Sequence, residues 1–209
     1  MEFAARMGAG SIDELRQADP MVRPSEPAQY EESIRQRFGT FADRILEFYP
    51  GKTEEETHTS SADIFREIAF AWPTWSWARL QTQTGDAKVF MYYFDQQQPD
   101  SPFSPYRPRG AGHGAEIGYV FRHVGQNGNG PYTGEDRELS EIMARYWSNF
   151  ARTGDPNGEG LPLWPAFRED EPTVLYLSST PHTGPVPNME KLQLMEDYFR
   201  WLRGKEAGR

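Results

Sequence analysis

The sequence of 209 residues contains no cysteine, no long apolar run and fewer basic than acidic residues. Without cysteine the chain can form neither a disulfide framework nor a thiolate zinc site, and a cysteine nucleophile is excluded. No apolar stretch approaches the roughly 18 residues of a membrane-spanning helix. The 22 basic residues face 31 acidic ones, a net charge of -9, so we expect neither a nucleic-acid nor a membrane partner, because both need a basic surface.

Aliphatic residues are also scarce, since hydrophobic residues make up 37% of the chain while aromatic residues alone make up 14%. Disordered chains are poor in aromatic residues, so we expect a folded protein of one or two domains. The first ten residues lack the apolar core of a signal peptide. Cytoplasmic and secreted locations both stay open.

Apolar residues recur at intervals of three and four in several segments, which predicts amphipathic helices. These helices are expected over residues 28–49, from 61 to 80 with a bend or break at Pro73, over 135–152, and over 188–203 with Gly204 beyond the end. Residues 1–22 are predicted to form a short helix-turn-helix remnant that precedes the main domain, residues 23–209. The acidic run at residues 54–56 is interpreted as a solvated helix face or turn.

Two segments are predicted to be strands. Residues 89–94 form a continuous apolar and aromatic run, typical of a strand that is buried on both faces in a parallel sheet covered by helices, and residues 174–177 form a shorter one. Two such strands leave edges and at least one face uncovered, and they are too small a surface for four or five helices. We therefore expect one part of a larger α/β domain, which could self-associate through exposed sheet edges.

A histidine between glycines follows the first predicted strand, in the segment GAGHGAEIGYVF of residues 110–121. Open α/β sheets bind ligands beyond the carboxyl ends of their strands, and glycines allow a substrate to approach closely. His113 therefore has the place and the pKa range of a general acid or base, although a solvated loop histidine is an alternative. His113, Glu116 and His123 lack metal-ligand spacing such as HExxH, so we expect no metal.

The same segment resembles the catalytic-histidine motif of the type-B carboxylesterases, which are α/β-hydrolases and include para-nitrobenzyl esterases and cholinesterases. Further stretches resemble this family in the same order, namely ADIFREIAF, AKVFMYYFD, YWSNFARTGDPN, LPLWPAF and VLYLSS. The resemblance covers nearly everything from residue 28 onward. It implies the C-terminal part of an α/β-hydrolase fold, with few strands, several amphipathic helices and the N-terminal half of the sheet absent.

The resemblance also implies a Ser–His–Glu triad in which His113 is the general base and Glu116 is a buried support of the histidine loop. The serine of this family lies in a Gly-x-Ser-x-Gly elbow, but no serine in this sequence has a glycine two residues before it. Glu14 is a candidate for the triad acid by its spacing from His113. In the competing interpretation, residues 1–22 precede a missing segment that held the acid.

The cluster of tryptophans between residues 72 and 77 lies in the region that this family places near its substrate gorge. Trp72 and Trp75 are thus candidates for the substrate pocket, and core packing is the alternative. The expected function is carboxylic-ester hydrolysis in which a small ester is the substrate and a nucleophile-bearing part completes the site, while the chain alone is inactive. The alternative function is that of a non-catalytic, cholinesterase-like binding module.

Overall fold

The computed structural model describes residues 26–97, 111–125 and 132–207. These residues form two compact units. The first unit contains the described residues up to Ser76 and from Asn188 onward, and the second contains those between Trp77 and Pro187. The predicted helix-turn-helix of residues 1–22 lies outside the described residues.

The described elements are mainly helical. In chain order they are α1 (Pro27–Phe38), a 3-10 turn (Gly39–Phe41), α2 (Ala42–Phe48), α3 (Glu54–Arg66), a π-helical turn (Glu67–Ala71), α4 (Trp72–Thr84), β1 (Tyr92–Phe94), α5 (Ile117–Val120), α6 (Gly134–Thr153), β2 (Thr173–Leu177), β3 (His182–Pro185) and α7 (Met189–Ala207). No described helix combines the length and the apolar character that a membrane crossing requires.

The predicted helix over residues 28–49 is divided into α1 and α2. Gly39 ends α1 with a φ of 55°, which lies in the region that favours glycine and that a continuous α-helix does not use. A single 3-10 turn then leads into α2. The period of the apolar residues survives this break because the turn keeps one face of both helices on the same core, and a periodicity argument alone therefore misses it.

The helix predicted from residue 61 begins earlier, at Glu54. Thr53 caps it, since its side-chain oxygen accepts a hydrogen bond from the Glu56 backbone N–H at 3.2 Å. The chain then remains helical as far as Thr84, so the helix does not break at Pro73, and the other form of the prediction, a bend, stays a prediction. The irregularity is the π-helical turn just before Pro73, in which the Trp72 backbone N–H donates to Glu67 O.

The first unit has a core of side chains from α1, α2, α3 and α7. Its buried members are Tyr30, Ile34, Phe38, Ala42, Ile45, Tyr49, Ile64, Leu194, Met195 and Tyr198. The rings of Phe38 and Tyr198 are 5.0 Å apart and join α1 to α7. Burial of each large apolar side chain contributes about 1.5–3 kcal/mol, so this cluster accounts for the association of the four helices.

The second unit contains a three-stranded sheet in the order β1–β2–β3. The parallel pair β1–β2 confirms the prediction of a parallel sheet, with Tyr92 opposite Leu175, whereas β3 runs antiparallel to β2. The prediction missed β3 because its sequence, HTGP, has no apolar alternation. Within the described residues β1 and β3 are both edge strands, and self-association through them stays a prediction.

The expectation that β1 is buried on both faces is wrong. The strand is limited to three residues, and Tyr92 is 37% exposed. An edge strand of so small a sheet is covered from fewer sides than a central one. The shorter prediction, residues 174–177, is confirmed as the buried centre of the sheet, since Val174, Leu175 and Leu177 are at most 2% exposed.

The predicted helix over residues 135–152 is confirmed as α6, which Gly154 ends with a φ of 75°. Leu139, Met143 and Tyr146 on its apolar stripe are buried against the sheet unit's core. The last helix, α7, extends beyond its predicted end to Ala207, so that Gly204 lies inside it. An internal glycine costs only about 1 kcal/mol relative to alanine, and the helix continues through it.

Candidate functional site

His113 lies at the start of a turn of residues 113–116, which leads directly into α5. Two backbone hydrogen bonds close the turn, from Ala115 N to Gly112 O at 3.1 Å and from Ile117 N to Gly114 O at 3.2 Å. Gly114 has a φ of 78°, a conformation that side-chain-bearing residues rarely adopt. The His113 side chain is exposed and therefore accessible to a reacting group.

Glu116 is half-buried rather than buried, because the short turn leaves one side of its side chain open. Burial, together with the nearby Glu116 carboxylate, raises the pKa of Tyr92 on β1. The end of the histidine turn therefore lies close to the first strand. His123 follows on an exposed turn, and among the described residues no three histidine, aspartate or glutamate side chains converge in a way that could hold a metal ion.

Tyr119, six residues after His113, is fully buried on α5. Its hydroxyl donates to Asp136 Oδ1 at 2.7 Å, and its backbone oxygen accepts a hydrogen bond from Ser140 Oγ at 2.7 Å. Its ring packs edge-on against Phe94 of β1, with the ring centroids 5.2 Å apart. Burial and the Asp136 carboxylate both raise the pKa of Tyr119, which is therefore a neutral hydrogen-bond donor near pH 7.

Asp136 is 2% exposed in the first turn of α6 and accepts hydrogen bonds from three residues. Tyr119 and Gln96 donate to its Oδ1, the latter at 2.8 Å, and the backbone N–H and hydroxyl of Thr133 donate to its Oδ2 at 2.8 and 2.9 Å. Burial alone would raise the pKa of this carboxyl, but the donors outweigh burial, so the pKa lies below its ordinary value. Asp136 is therefore a buried carboxylate.

We call Gln96, Tyr119, Thr133, Asp136 and Ser140 the Asp136 cluster. It joins the segment after β1, the helix after His113 and the beginning of α6. Sequence reasoning missed it. The available signal was the pair Thr133-x-x-Asp136 at the start of a predicted helix, which forms a reciprocal capping box in the structure.

A cavity of about 180 Å³ opens beside β1 and α6 in the second unit. Its walls are mostly aromatic side chains, including those of Phe90, Tyr92, Trp147 and Trp164. Trp164 is fixed by a hydrogen bond from its indole N–H to the Met91 backbone oxygen at 2.9 Å. Such a lining suits an apolar group. The sequence patterns place Phe90 and Tyr92 on a buried strand, Trp147 on a helix and Trp164 in the LPLWPAF segment, and they assign none of these residues to a cavity.

The two tryptophans proposed for the substrate pocket belong to the first unit. Trp72 stacks on Phe199 with ring centroids 4.1 Å apart, and its indole N–H donates to Glu196 at 3.0 Å. Trp75 is 7% exposed. Both side chains thus take part in packing, and their role in a pocket stays a prediction. Glu14, the candidate triad acid, lies outside the described residues.

Comparisons of the sequence with a family profile and with individual proteins indicate the same family. The sequence profile of the carboxylesterase family matches residues 10–196. The chain is 39% identical to carboxylesterase 5A of Canis lupus familiaris over 130 residues, which cover 59% of this chain and 22% of that protein. It is 35% identical to cocaine esterase of Homo sapiens over 158 residues, which cover 74% of this chain and 27% of that protein.

The fold is similar to that of a solved esterase. A PNB esterase superposes on 81% of this chain with a TM-score of 0.58 and 26% sequence identity, and 33% of the esterase chain is covered. The structure is therefore a partial α/β-hydrolase fold. The chain spans about a quarter of the length of the curated relatives that it matches.

Proposed function

Because this chain belongs to the carboxylesterase family, we propose that it contributes the general-base histidine, His113, to the hydrolysis of carboxylic esters. The single observation that carries the proposal is the exposed position of His113 on a glycine-containing turn in the family's matching segment. An imidazole in that place can meet a hydroxyl group without a prior rearrangement of its own backbone.

In the proposed mechanism His113 accepts the proton of a serine hydroxyl while the serine oxygen attacks the ester carbonyl carbon. The imidazolium then returns this proton to the leaving alcohol as the bond between the carbonyl carbon and the alcohol oxygen breaks. In the second half, His113 takes a proton from water, whose oxygen attacks the acyl carbon. The bond between that carbon and the serine oxygen then breaks, and the serine oxygen recovers the proton from His113. The net reaction consumes one water and yields an acid and an alcohol.

The serine is proposed to come from outside these residues. None of the serines in the sequence has a glycine two positions earlier, as the nucleophile elbow of the family requires. The chain alone is therefore expected to be inactive. Glu14 remains the proposed acid within the sequence, and the alternative is an acid in a missing segment between residues 22 and 23. Glu116 is proposed to support the histidine turn.

The substrate is proposed only as a class, the small carboxylic esters. Cocaine esterase is named for one ester, whereas carboxylesterase 5A is named for none. Trp72 and Trp75 are retained as proposed pocket residues. No metal or organic cofactor takes part in the proposed steps, since proton transfer by His113 and attack by the serine oxygen account for both of them.

A complementation assay tests this proposal. The purified chain is mixed with the N-terminal part of a PNB esterase that carries the serine and ends where the similarity to this chain begins. We expect hydrolysis of p-nitrophenyl acetate and butyrate by the mixture but not by either part. His113→Ala should lower the rate by at least about a thousandfold, whereas His123→Ala, which alters another exposed histidine on the following turn, should leave it unchanged.

Three results would contradict the proposal in different ways. Hydrolysis by the chain alone, with a serine labelled by a phosphonate, would reveal a nucleophile within these residues. Hydrolysis by the mixture that survives His113→Ala would remove the assigned role of His113. A stable complex of the two parts with no hydrolysis at all would favour the alternative, a non-catalytic binding module.

A further inference from the structure

We infer that Asp136 and Tyr119 are positioning residues for His113, which they hold in one orientation through α5. This inference rests on the proposed role of His113 and extends it to residues that do not touch the substrate. The Asp136 cluster contains three side chains that are at most 3% exposed, and its hydrogen bonds from Tyr119 to Asp136 and from Ser140 to the Tyr119 backbone oxygen connect α5 to α6.

A short series of hydrogen bonds connects Asp136 to the turn that contains His113. Tyr119 is held at its hydroxyl by Asp136 and at its backbone oxygen by Ser140, so neither end of the residue is free to move. The Tyr119 N–H donates to Glu116 O at 3.0 Å, and the turn hydrogen bonds of Ala115 and Ile117 continue to Gly112. A rotation of α5 would therefore displace the backbone of His113.

The negative charge of Asp136 strengthens the hydrogen bonds that its carboxylate accepts. Hydrogen bonds to an ionised acceptor contribute about twice as much as those between neutral groups, and a buried carboxylate that loses a donor is strongly disfavoured. Gln96 donates to the same oxygen as Tyr119, and Thr133 donates to the other one, so both oxygens of the carboxylate are held. The carboxylate is thus a fixed point to which the segment after β1, α5 and α6 all attach.

The same arrangement explains why an exposed turn with two glycines can present a histidine reproducibly. Gly112 and Gly114 flank His113 and allow it many backbone conformations. The attachment of the following helix to Asp136 and Ser140 restricts them. Catalytic groups need to be held to about 0.5 Å, which loops by themselves do not provide.

The test uses Tyr119→Phe, which removes one hydroxyl and keeps the ring, and Tyr146→Phe as a matched control. Tyr146 is equally buried in the same unit, and its hydroxyl donates to the Pro162 backbone oxygen at 2.6 Å, away from the histidine turn. Both variants of the full chain lose one hydrogen bond of a buried tyrosine. If the Asp136 cluster were merely structural, the two variants would behave alike at His113.

The readouts are the NMR signals of the His113 ring and the hydrogen exchange of the Ile117 and Val120 amides. His113→Ala assigns the ring signal among the chain's four histidines. We expect Tyr119→Phe to broaden or shift the His113 signal and to accelerate exchange of both amides by about tenfold, because one buried hydrogen bond is lost. Tyr146→Phe should leave the His113 signal and both exchange rates unchanged.

The inference is overturned if Tyr119→Phe leaves the His113 signal and both amides unchanged, or if Tyr146→Phe alters them equally. Asp136→Ala is expected to give a larger change than Tyr119→Phe, and a smaller one would also contradict the inference. None of these measurements depends on ester hydrolysis. Failure of the complementation assay with a positive NMR result would reject the proposed function, whereas hydrolysis with an unchanged NMR signal would reject only the positioning role.

Discussion

Among the residues that the structure describes, each of the two units buries one carboxyl group, and the two groups have opposite environments. Glu67 in the π-helical turn of the first unit and Asp136 in α6 of the second are 0% and 2% exposed. The pKa of Glu67 is raised above its ordinary value, whereas that of Asp136 is lowered. Equal burial therefore does not decide the charge of a carboxyl group.

The two pKa shifts differ in direction because the two carboxyl groups have different numbers of hydrogen-bond donors. Glu67 Oε1 accepts a hydrogen bond from Arg66 at 3.0 Å and a long one from Asn188 at 3.5 Å, but Oε2 has no partner within the described residues. Burial raises the pKa of Glu67, while Arg66 and Lys191 lower it and the carboxylate of Asp63 raises it further. Asp136, by contrast, has donors on both oxygens.

This comparison indicates different roles for the two groups. A carboxylate with every oxygen satisfied is stable in place and rigidifies what it contacts, whereas one with an unpaired oxygen costs free energy when it is ionised. The Asp136 cluster lies beside the candidate functional site. Glu67 lies in a helical core, where the π-helical turn gives its side chain this buried position.

The largest effect is expected for Asp136→Ala. The variant leaves the buried Tyr119 hydroxyl and the Thr133 N–H without their acceptor, so we expect the free energy of unfolding at about pH 7 to fall by about 3 kcal/mol. The contribution of a group with a lowered pKa is present above its ordinary value and disappears as the pH falls through the lowered one. The difference in the free energy of unfolding between the variant and the wild type should thus become smaller at acidic pH.

Urea denaturation followed by tryptophan fluorescence measures this loss. Glu138→Ala serves as the control, because Glu138 is exposed on the same helix and its removal should change stability by less than about 0.5 kcal/mol. Equal losses for Asp136→Ala and Glu138→Ala would show that the buried hydrogen bonds do not stabilise the second unit.

Glu67→Gln is expected to raise the free energy of unfolding, whereas Asp136→Ala lowers it. Because the pKa of Glu67 is raised, its stabilising contribution is complete below the ordinary value and is lost as the pH rises through the raised one. The neutral variant does not undergo this loss, and Arg66 keeps its ion pair with Asp63 at 2.9 Å. We therefore expect the variant to be more stable than the wild type by about 1 kcal/mol at about pH 7 and equal to it near pH 4.

Thermal and urea unfolding at the two pH values check this prediction, with Glu47→Gln on exposed α2 surface as the control. A variant that is less stable than the wild type at neutral pH would mean that Glu67 is a net stabilising ion-pair partner. The contrast between the two buried carboxyl groups would then not hold.

The smallest loss of stability is expected when an ion pair with exposed carboxylates is removed. Arg35 pairs with Glu31 at 2.8 Å and with Asp43 at 2.9 Å, but all three side chains are about half exposed or more. Arg35→Ala should lower stability only slightly at low ionic strength, and by still less in about 1 M salt, because solvent and salt screen exposed ion pairs. A loss as large as that of Asp136→Ala would show that burial is not what distinguishes these carboxylates.

Periodicity and resemblance predicted most of the helices and the family, because both depend on residues close together in the sequence. The apolar stripe on α6, a parallel sheet containing β1 and β2, and a glycine-flanked histidine after β1 were all predicted. Element ends were less predictable. Thr53 begins α3 with a side-chain cap, and α7 passes through Gly204, where the balance of packing and backbone cost decides the end.

By itself, the sequence determined the class of the fold, its family and the residue proposed for proton transfer, since apolar spacing and motif identity are properties of the chain alone. Only the tertiary structure decided which carboxyl groups are charged and which side chain anchors the histidine turn. Gln96, Tyr119 and Asp136 are separated by 17 residues or more and meet only when β1, α5 and α6 pack together. Burial and donor count are properties of that packing, and they set both the pKa of Asp136 and the firmness of its contacts.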